Sequence, residues 1–165
     1  MASSAITEHE FTTKKGEKFF YLEAGPQAGP LLIFIHGWPA IAEVWKPQLF
    51  AFANLGFRTV APDTRGYGRS VVSKERSDYA LERHVTDMLA LLSHLQRDEA
   101  VWVGHDWGCG LVWAFAAHYP EACVGVVNMC VPYRTIEFGL DALVATVNRE
   151  LYPADKYPYG QWYEP

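Results

Sequence analysis

Four short apolar runs, separated by segments of helical length, constrain the fold of this chain more than any other feature of its sequence. Each run has the length of a strand and lacks the polar alternation of a half-exposed strand, which is typical of strands buried on both faces. The runs are Pro30–Ile35, Phe57–Ala61, Ala100–Val103 and Val124–Met129. The segments between them predict helices over 44–55, 78–96 and 111–118. Strands that alternate with helices form a parallel sheet with right-handed crossovers, so the sequence predicts an α/β fold.

The N-terminal segment predicts an antiparallel β-hairpin ahead of the parallel strands. Residues 10–13 and 17–23 flank Lys14-Lys15-Gly16, in which the glycine suits a tight turn. Farther along, Asp78 precedes the most regular helical pattern of the chain. We expect it to be the N-cap of that helix, because aspartate accepts hydrogen bonds from the free amides of a first turn.

Composition excludes several classes of function. The chain has 165 residues, half of them hydrophobic, which is enough apolar material to fill a core. A net charge of −5 argues against nucleic acid or an anionic membrane as partner. The three cysteines lack disulfide-framework or zinc-site spacing, and no cofactor motif is present. The N-terminus has no signal-peptide pattern, and the longest apolar run is too short for a membrane helix. We therefore predict a soluble cytoplasmic protein without a metal or cofactor.

The stretch 101–110, Val-Trp-Val-Gly-His-Asp-Trp-Gly-Cys-Gly, carries the strongest chemical signal. A buried strand runs into Gly-x-Asp-x-Gly and a helix follows at once, which is the nucleophile-elbow pattern with aspartate in the place of serine. Small residues at Gly104 and Gly108 allow the close packing that such a turn needs. Asp106 would then stand above the carboxyl edge of the sheet, ionised at a helix N-terminus. An aspartate between a strand and a helix is also an ordinary N-cap, and this motif alone leaves both interpretations open.

A second motif, His36-Gly37-Trp38-Pro39, directly follows the first buried strand. In elbow enzymes this loop supplies one backbone N–H of the oxyanion hole, and the residue after the nucleophile supplies the other. The donors here would be Trp38 and Trp107. We expect Pro39 to fix the turn, with a cis peptide bond before it. His36 is expected to hold the loop through hydrogen bonds to nearby backbone rather than to act as the catalytic base.

A third motif, residues 63–70 with the sequence Asp-Thr-Arg-Gly-Tyr-Gly-Arg-Ser, follows the second buried strand. Its glycines shape a loop at the same edge of the sheet. We interpret it as scaffold beside the site, with Asp63 and Arg65 forming an internal charge pair.

Together the three motifs, in this order and spacing, resemble the α/β-hydrolase fold family and, within it, the epoxide hydrolases. The resemblance extends from the hairpin to the aromatic C-terminal segment. It implies a two-step reaction in which Asp106 attacks an epoxide carbon and a histidine-activated water hydrolyses the resulting ester to a vicinal diol. It also implies a small apolar substrate, in contact with His36 and Pro39, and a lid that bears two tyrosines. Residues 1–134 would form the N-terminal part of the core and 135–165 the start of the lid.

The chain departs from the family pattern in its second half. In the family, an acid and a histidine follow the nucleophile far downstream, whereas none of the six histidines here lies beyond position 118. Tyr159 or Tyr163 would be the first lid tyrosine, and the second has no candidate. We therefore expect a truncated chain that lacks the C-terminal part of the sheet. Its open edge would need a partner or the missing half, and the chain would be inactive alone.

Two alternatives remain open from the sequence. A haloalkane or haloacid dehalogenase of the same fold also uses an elbow aspartate, and the indole of Trp38 would suit halide. The other alternative is a non-catalytic chain that binds a partner through its open sheet edge. A serine esterase is excluded because no Gly-x-Ser-x-Gly is present, and a dinucleotide site because Trp107 would block the pyrophosphate.

Overall fold

The computed structural model describes residues 5–131, in which helices follow the strands of a single sheet. These residues all lie in the first of the two units into which the chain divides, Met1–Pro132. The strands are β1 (Thr7–Thr12), β2 (Lys18–Ala24), β3 (Leu31–Ile35), β4 (Arg58–Pro62), β5 (Ala100–His105) and β6 (Cys123–Met129). The α-helices are α1 (Lys46–Asn54), α2 (Leu81–His94) and α3 (Trp107–His118), and short 3-10 turns span Ala42–Trp45, Arg76–Tyr79 and Pro120–Ala122. The predicted boundary at 134/135 and the predicted lid lie outside the described residues.

The sheet confirms the predicted architecture. Its strand order is β1-β2-β4-β3-β5-β6. The pairs β1/β2 and β2/β4 are antiparallel, whereas β3 pairs in parallel with β4 and β5, and β5 in parallel with β6. The carboxyl ends of β3, β4 and β5 therefore meet at one edge, where each is followed by one of the three sequence motifs.

Apolar side chains cover both faces of the sheet at β3 and β4, as the unbroken hydrophobic runs predict. The run Val124–Met129 differs: no residue of β6 is buried among residues 5–131, and Val124 and Val127 are 61% and 49% exposed, because β6 is the last strand of the described sheet. One core cluster packs α2 and α3 on the sheet around Trp102, Ile33 and Leu91, and the other packs α1 on the opposite face around Phe34 and Leu49. Every residue of β3 and β4 is buried. No helix in residues 5–131 has the length and hydropathy that crossing a membrane requires.

The helix after β4 begins later than predicted, and Asp78 is not its N-cap. The N-cap of α2 is Ala80, and Asp78 belongs to the preceding 3-10 turn. The Asp78 carboxylate accepts a hydrogen bond from Ser73 Oγ at 2.5 Å instead and lies 3.8 Å from Arg83. Its carboxylate therefore contacts side chains and caps none of the backbone amides of α2. Conversely, α3 begins at Trp107, four residues before the predicted start. The sequence did not indicate this first turn because Gly108 and Gly110 have poor helix propensity.

The predicted charge pair between Asp63 and Arg65 is wrong, since each side chain has other partners. The Asp63 carboxylate accepts from the backbone N–H groups of Ala42 at 2.8 Å and Arg69 at 2.9 Å. Arg65 is fully buried and forms a bidentate pair with Asp87, at 2.8 and 2.7 Å, in which its Nε and Nη2 donate. Its Nη1 donates to Glu17 at 2.8 Å. The loop after β4 is thus held by α2, through Asp87, and by the turn between β1 and β2, through Glu17.

Candidate active site

Asp106 occupies the sharp turn between β5 and α3 in a strained backbone conformation. Its φ is 55° and its ψ is −123°, a region that residues other than glycine rarely adopt. Its backbone N–H donates to the carbonyl of Met129, at the end of β6, at 3.2 Å. The turn also needs Gly108, because a Cβ there would overlap the carbonyl oxygen of Ile35. Packing against both neighbouring strands thus holds the elbow and presents the Asp106 side chain at the carboxyl edge of the sheet.

Both backbone amides that the sequence singled out stabilise the charge of the Asp106 carboxylate. The N–H of Trp38 donates to Asp106 Oδ1 at 2.9 Å. The backbone N–H group of Trp107, followed by that of Trp38, holds the pKa of Asp106 below its usual value, so the carboxylate is ionised at neutral pH. Asp106 stands at the N-cap position of α3 but makes no side-chain capping hydrogen bond to it. The geometry therefore favours a carboxylate aimed at the loop after β3 over an ordinary helix cap.

The loop after β3 passes so close to Asp106 that only glycine fits at position 37. A Cβ on Gly37 would overlap the Cβ and Oδ1 of Asp106. The next peptide bond, between Trp38 and Pro39, is cis, as the sequence predicts. Trp38 and Trp107 are 66% and 74% exposed.

His36 lies beneath this loop and is only 3% exposed. Its Nδ1 donates to the Gly37 carbonyl at 3.0 Å, and its Nε2 accepts from the backbone N–H of Thr64 at 3.0 Å. Burial lowers its pKa below the ordinary histidine value. Among residues 5–131, no hydrogen bond joins any histidine ring to the Asp106 carboxylate.

A cleft of about 350 Å³ opens beside the elbow, between the start of α2 and the start of α3. Most of the side chains that line it are apolar or aromatic, and they include Tyr67, Tyr79, Leu81, His84, Trp107 and Leu111. His36 also contributes to the lining, whereas Pro39 is not among the lining residues and is exposed on the loop. Tyr159 and Tyr163, the predicted lid tyrosines, lie outside the described residues.

Several contacts of the site have no local signal in the sequence. The Met129 carbonyl accepts from both the Asp106 N–H and the Cys109 thiol, the latter at 2.9 Å, and backbone acceptors leave no trace in residue type. The sequence also gives no local indication that the Thr64 N–H binds His36, or that the His84 ring lines the cleft. Within residues 5–131, no group of histidine, cysteine, aspartate and glutamate is placed to hold a metal ion.

Comparison with known proteins places this geometry in a family. The profile of the alpha/beta hydrolase fold matches residues 30–163. The chain is 36% identical over 127 residues to epoxide hydrolase B of Mycobacterium tuberculosis, covering 76% of this chain and 36% of the relative. It is 37% identical over 130 residues to bifunctional epoxide hydrolase 2 of Sus scrofa, covering 79% of this chain and 23% of that protein.

A solved structure agrees with these sequence relatives. Epoxide hydrolase A from Mycobacterium thermoresistibile superposes with a TM-score of 0.78 at 30% identity, over 87% of this chain and 44% of the other. The chain thus spans less than half the length of each of these three proteins. The matched profile, the superposed structure and the sequence relatives all point to the same family, and the strand order and the elbow at Asp106 are consistent with it. The chain therefore belongs to the alpha/beta hydrolase fold family.

Proposed function

We propose that this chain carries the nucleophile of an epoxide hydrolase, and that Asp106 is that nucleophile. The observation that carries the proposal is the Asp106 carboxylate, which is ionised at a strained elbow and accepts a hydrogen bond from the Trp38 amide. Relatives named as epoxide hydrolases support the choice of substrate. We propose that the carboxylate acts as a nucleophile, which opens an epoxide by forming an ester, rather than as a base that accepts a proton.

In the first step, one oxygen of the Asp106 carboxylate attacks a ring carbon of the epoxide. A new carbon–oxygen bond forms, the ring carbon–oxygen bond breaks, and the departing ring oxygen takes up a proton from solvent. Hydrolysis of the ester returns this proton in the second step. The product is an ester that bears a neighbouring hydroxyl group. We propose Tyr159 or Tyr163 as the hydrogen-bond donor to the ring oxygen.

In the second step, water adds to the carbonyl carbon of this ester, and the diol leaves as the carboxylate is restored. The carbonyl oxygen becomes an oxyanion, which the Trp38 and Trp107 amides are placed to stabilise. This step needs a base for the water. None of the six histidines follows position 118, and those in residues 5–131 do not hydrogen-bond to Asp106, so we expect the ester to accumulate in this chain.

The cleft beside the elbow favours a small apolar substrate. The lining includes Trp107, the chain neighbour of Asp106, and its aromatic and aliphatic side chains suit an aryl or alkyl substituent on the epoxide. We propose the cytoplasm as compartment, since free cysteines at positions 109, 123 and 130 suit a reducing environment.

Incubation of the chain with styrene oxide tests the proposal, with intact mass and released diol as the two readouts. We expect a mass increase of one substrate, located by peptide mapping on Asp106, and no diol. Diol formation with turnover would show that another group activates water and would overturn the predicted ester accumulation. Absence of both adduct and diol would overturn the proposal itself. Release of bromide from 1-bromobutane, without reaction of the epoxide, would assign the chain to the dehalogenases instead.

Replacement of Gly37 by alanine should slow the labelling of Asp106 by about 100-fold, since displacement of a reacting group by about 1 Å has effects of this size. The added methyl group would overlap the Asp106 side chain and push it off the Trp38 amide. The rate is measured by intact mass at a fixed styrene oxide concentration. Gly125→Ala is the matched control, because no described atom lies within 4 Å of the added Cβ there. Equal rates for the two variants would contradict the close approach as a requirement for reactivity.

A further inference from the structure

We infer that His36 is a positioning residue for the oxyanion hole: a neutral imidazole, protonated on Nδ1, that locks the Gly37–Trp38 peptide against the loop after β4. The inference rests on the proposed function only for its effect on the labelling rate. The structural part concerns four groups in a chain of contacts, namely Thr64, His36, the Gly37–Trp38 peptide and Asp106.

The ring nitrogens of His36 contact three groups, the Gly37 carbonyl and the backbone N–H and hydroxyl of Thr64, and one protonation state satisfies all three. The Thr64 hydroxyl lies 3.2 Å from Nε2 and can donate to it, so the backbone groups decide the state. A backbone N–H can only donate, so the Thr64 amide at 3.0 Å requires Nε2 to be an acceptor. A carbonyl can only accept, so the Gly37 oxygen at 3.0 Å requires Nδ1 to carry the proton. A doubly protonated ring would set Nε2–H against the Thr64 N–H. The lowered pKa of the buried ring agrees with the neutral form.

The hydrogen bond from His36 fixes the direction of the Trp38 donor. The Gly37 carbonyl and the Trp38 N–H belong to one planar peptide group, in which they point in opposite directions when the bond is trans. In the described chain the only cis peptide is the next one, Trp38–Pro39. Because Nδ1 holds the carbonyl on one side, the N–H points to the other, where Asp106 Oδ1 accepts it at 2.9 Å.

The anchor of this contact chain is rigid. Thr64 lies between Asp63, whose carboxylate binds two backbone amides, and Arg65, which is fully buried in its pair with Asp87. The edge of the His36 ring also packs against Tyr67 at 5.1 Å between ring centroids. The loop after β4 therefore sets the orientation of a peptide group that it does not itself contain.

Two substitutions separate the two hydrogen bonds of the ring. The side-chain amide of His36→Asn reaches the position of Nδ1 and can still donate to the Gly37 carbonyl. The oxygen of His36→Gln reaches the position of Nε2 and can accept from Thr64, but its amide does not replace the Nδ1 donor. His94→Gln is the matched control, since it removes an imidazole that bonds to the Tyr21 hydroxyl on another part of the molecule.

The primary readout is the pKa of Asp106, measured from its carboxyl ¹³C shift in each variant. We expect His36→Gln to raise this pKa by about one, as loss of a charge-assisted hydrogen bond does, and His36→Asn to restore it towards the value of the unsubstituted chain. The rate of styrene oxide labelling should fall about tenfold in His36→Gln and less in His36→Asn. Equal values of pKa and rate in His36→Gln and His94→Gln would overturn the inference, as would equal losses in Asn and Gln.

A measurement on the unsubstituted chain keeps the inference testable if the variants do not fold. Ring ¹⁵N shifts of His36 should show a protonated Nδ1 and an unprotonated Nε2 at neutral pH. The opposite tautomer, or a doubly protonated ring, would overturn the inference. If the unsubstituted chain forms no epoxide adduct, the proposed function fails, whereas the ring shifts and the Asp106 pKa still decide the role of His36.

Discussion

Replacement of Asp106 by asparagine should abolish covalent labelling by styrene oxide and leave the fold intact. The amide oxygen of asparagine can still accept from the Trp38 N–H, so the loop contact at the elbow is retained. The amide has no negative charge and is a far weaker nucleophile than the carboxylate. We expect the labelling rate to fall by at least about 1,000-fold, in keeping with the removal of other enzymatic nucleophiles. Intact mass over a time course measures it.

The control for this prediction must separate Asp106 from other reactive groups. Asp98→Asn changes an exposed aspartate outside the site and should label at the unsubstituted rate. Cys130 is an exposed free thiol that an epoxide can alkylate, so all variants are compared in a Cys130→Ser background. Labelling of Asp106→Asn at the rate of Asp98→Asn in that background would show that another group is the nucleophile.

The fold was predictable because its signals are local. An apolar run such as Leu31–Ile35 specifies a buried strand by its own composition, and the alternation of such runs with helices specifies parallel pairing. The same locality applies to the elbow. Since β3 and β5 are parallel neighbours, the residues after each must meet at one edge, and the structure brings Trp38 and Asp106 together there.

The partners of charged side chains were not predictable in the same way. Asp63 and Arg65 are close in sequence, yet Arg65 pairs with Asp87, 22 residues away, and with Glu17, 48 residues away. These distances depend on how α2 and the hairpin pack against the sheet, which no local pattern encodes. Likewise Asp78 lies at a helical start signal, but contacts with Ser73 and Arg83 decide its position.

Substitution of Asp87 by alanine should reduce the free energy of unfolding by about 3–5 kcal/mol, the usual loss when one partner of a buried pair is removed. Arg65 is 0% exposed and Asp87 is 2% exposed, so the guanidinium would keep its charge in the interior with only Glu17 as a carboxylate partner. For a chain of this size the melting temperature should fall by roughly 10 °C. Urea and thermal unfolding, followed by circular dichroism, measure both quantities.

The double variant Arg65→Met/Asp87→Leu tests whether the loss comes from the unpaired charge. It removes both charges and fills the space with apolar atoms, so it should be more stable than Asp87→Ala, although two residues are changed instead of one. Glu8→Gln is the surface control, because it breaks the ion pair between Glu8 and Arg69, whose side chains are 59% and 47% exposed respectively. It should change the free energy of unfolding very little. If Asp87→Ala and Glu8→Gln unfold at the same urea concentration, the Arg65–Asp87 pair does not stabilise this fold. If instead Asp87→Ala unfolds early and the double variant recovers most of the loss, the buried charge is the cause, and the loop that anchors Thr64 depends on that charge being paired.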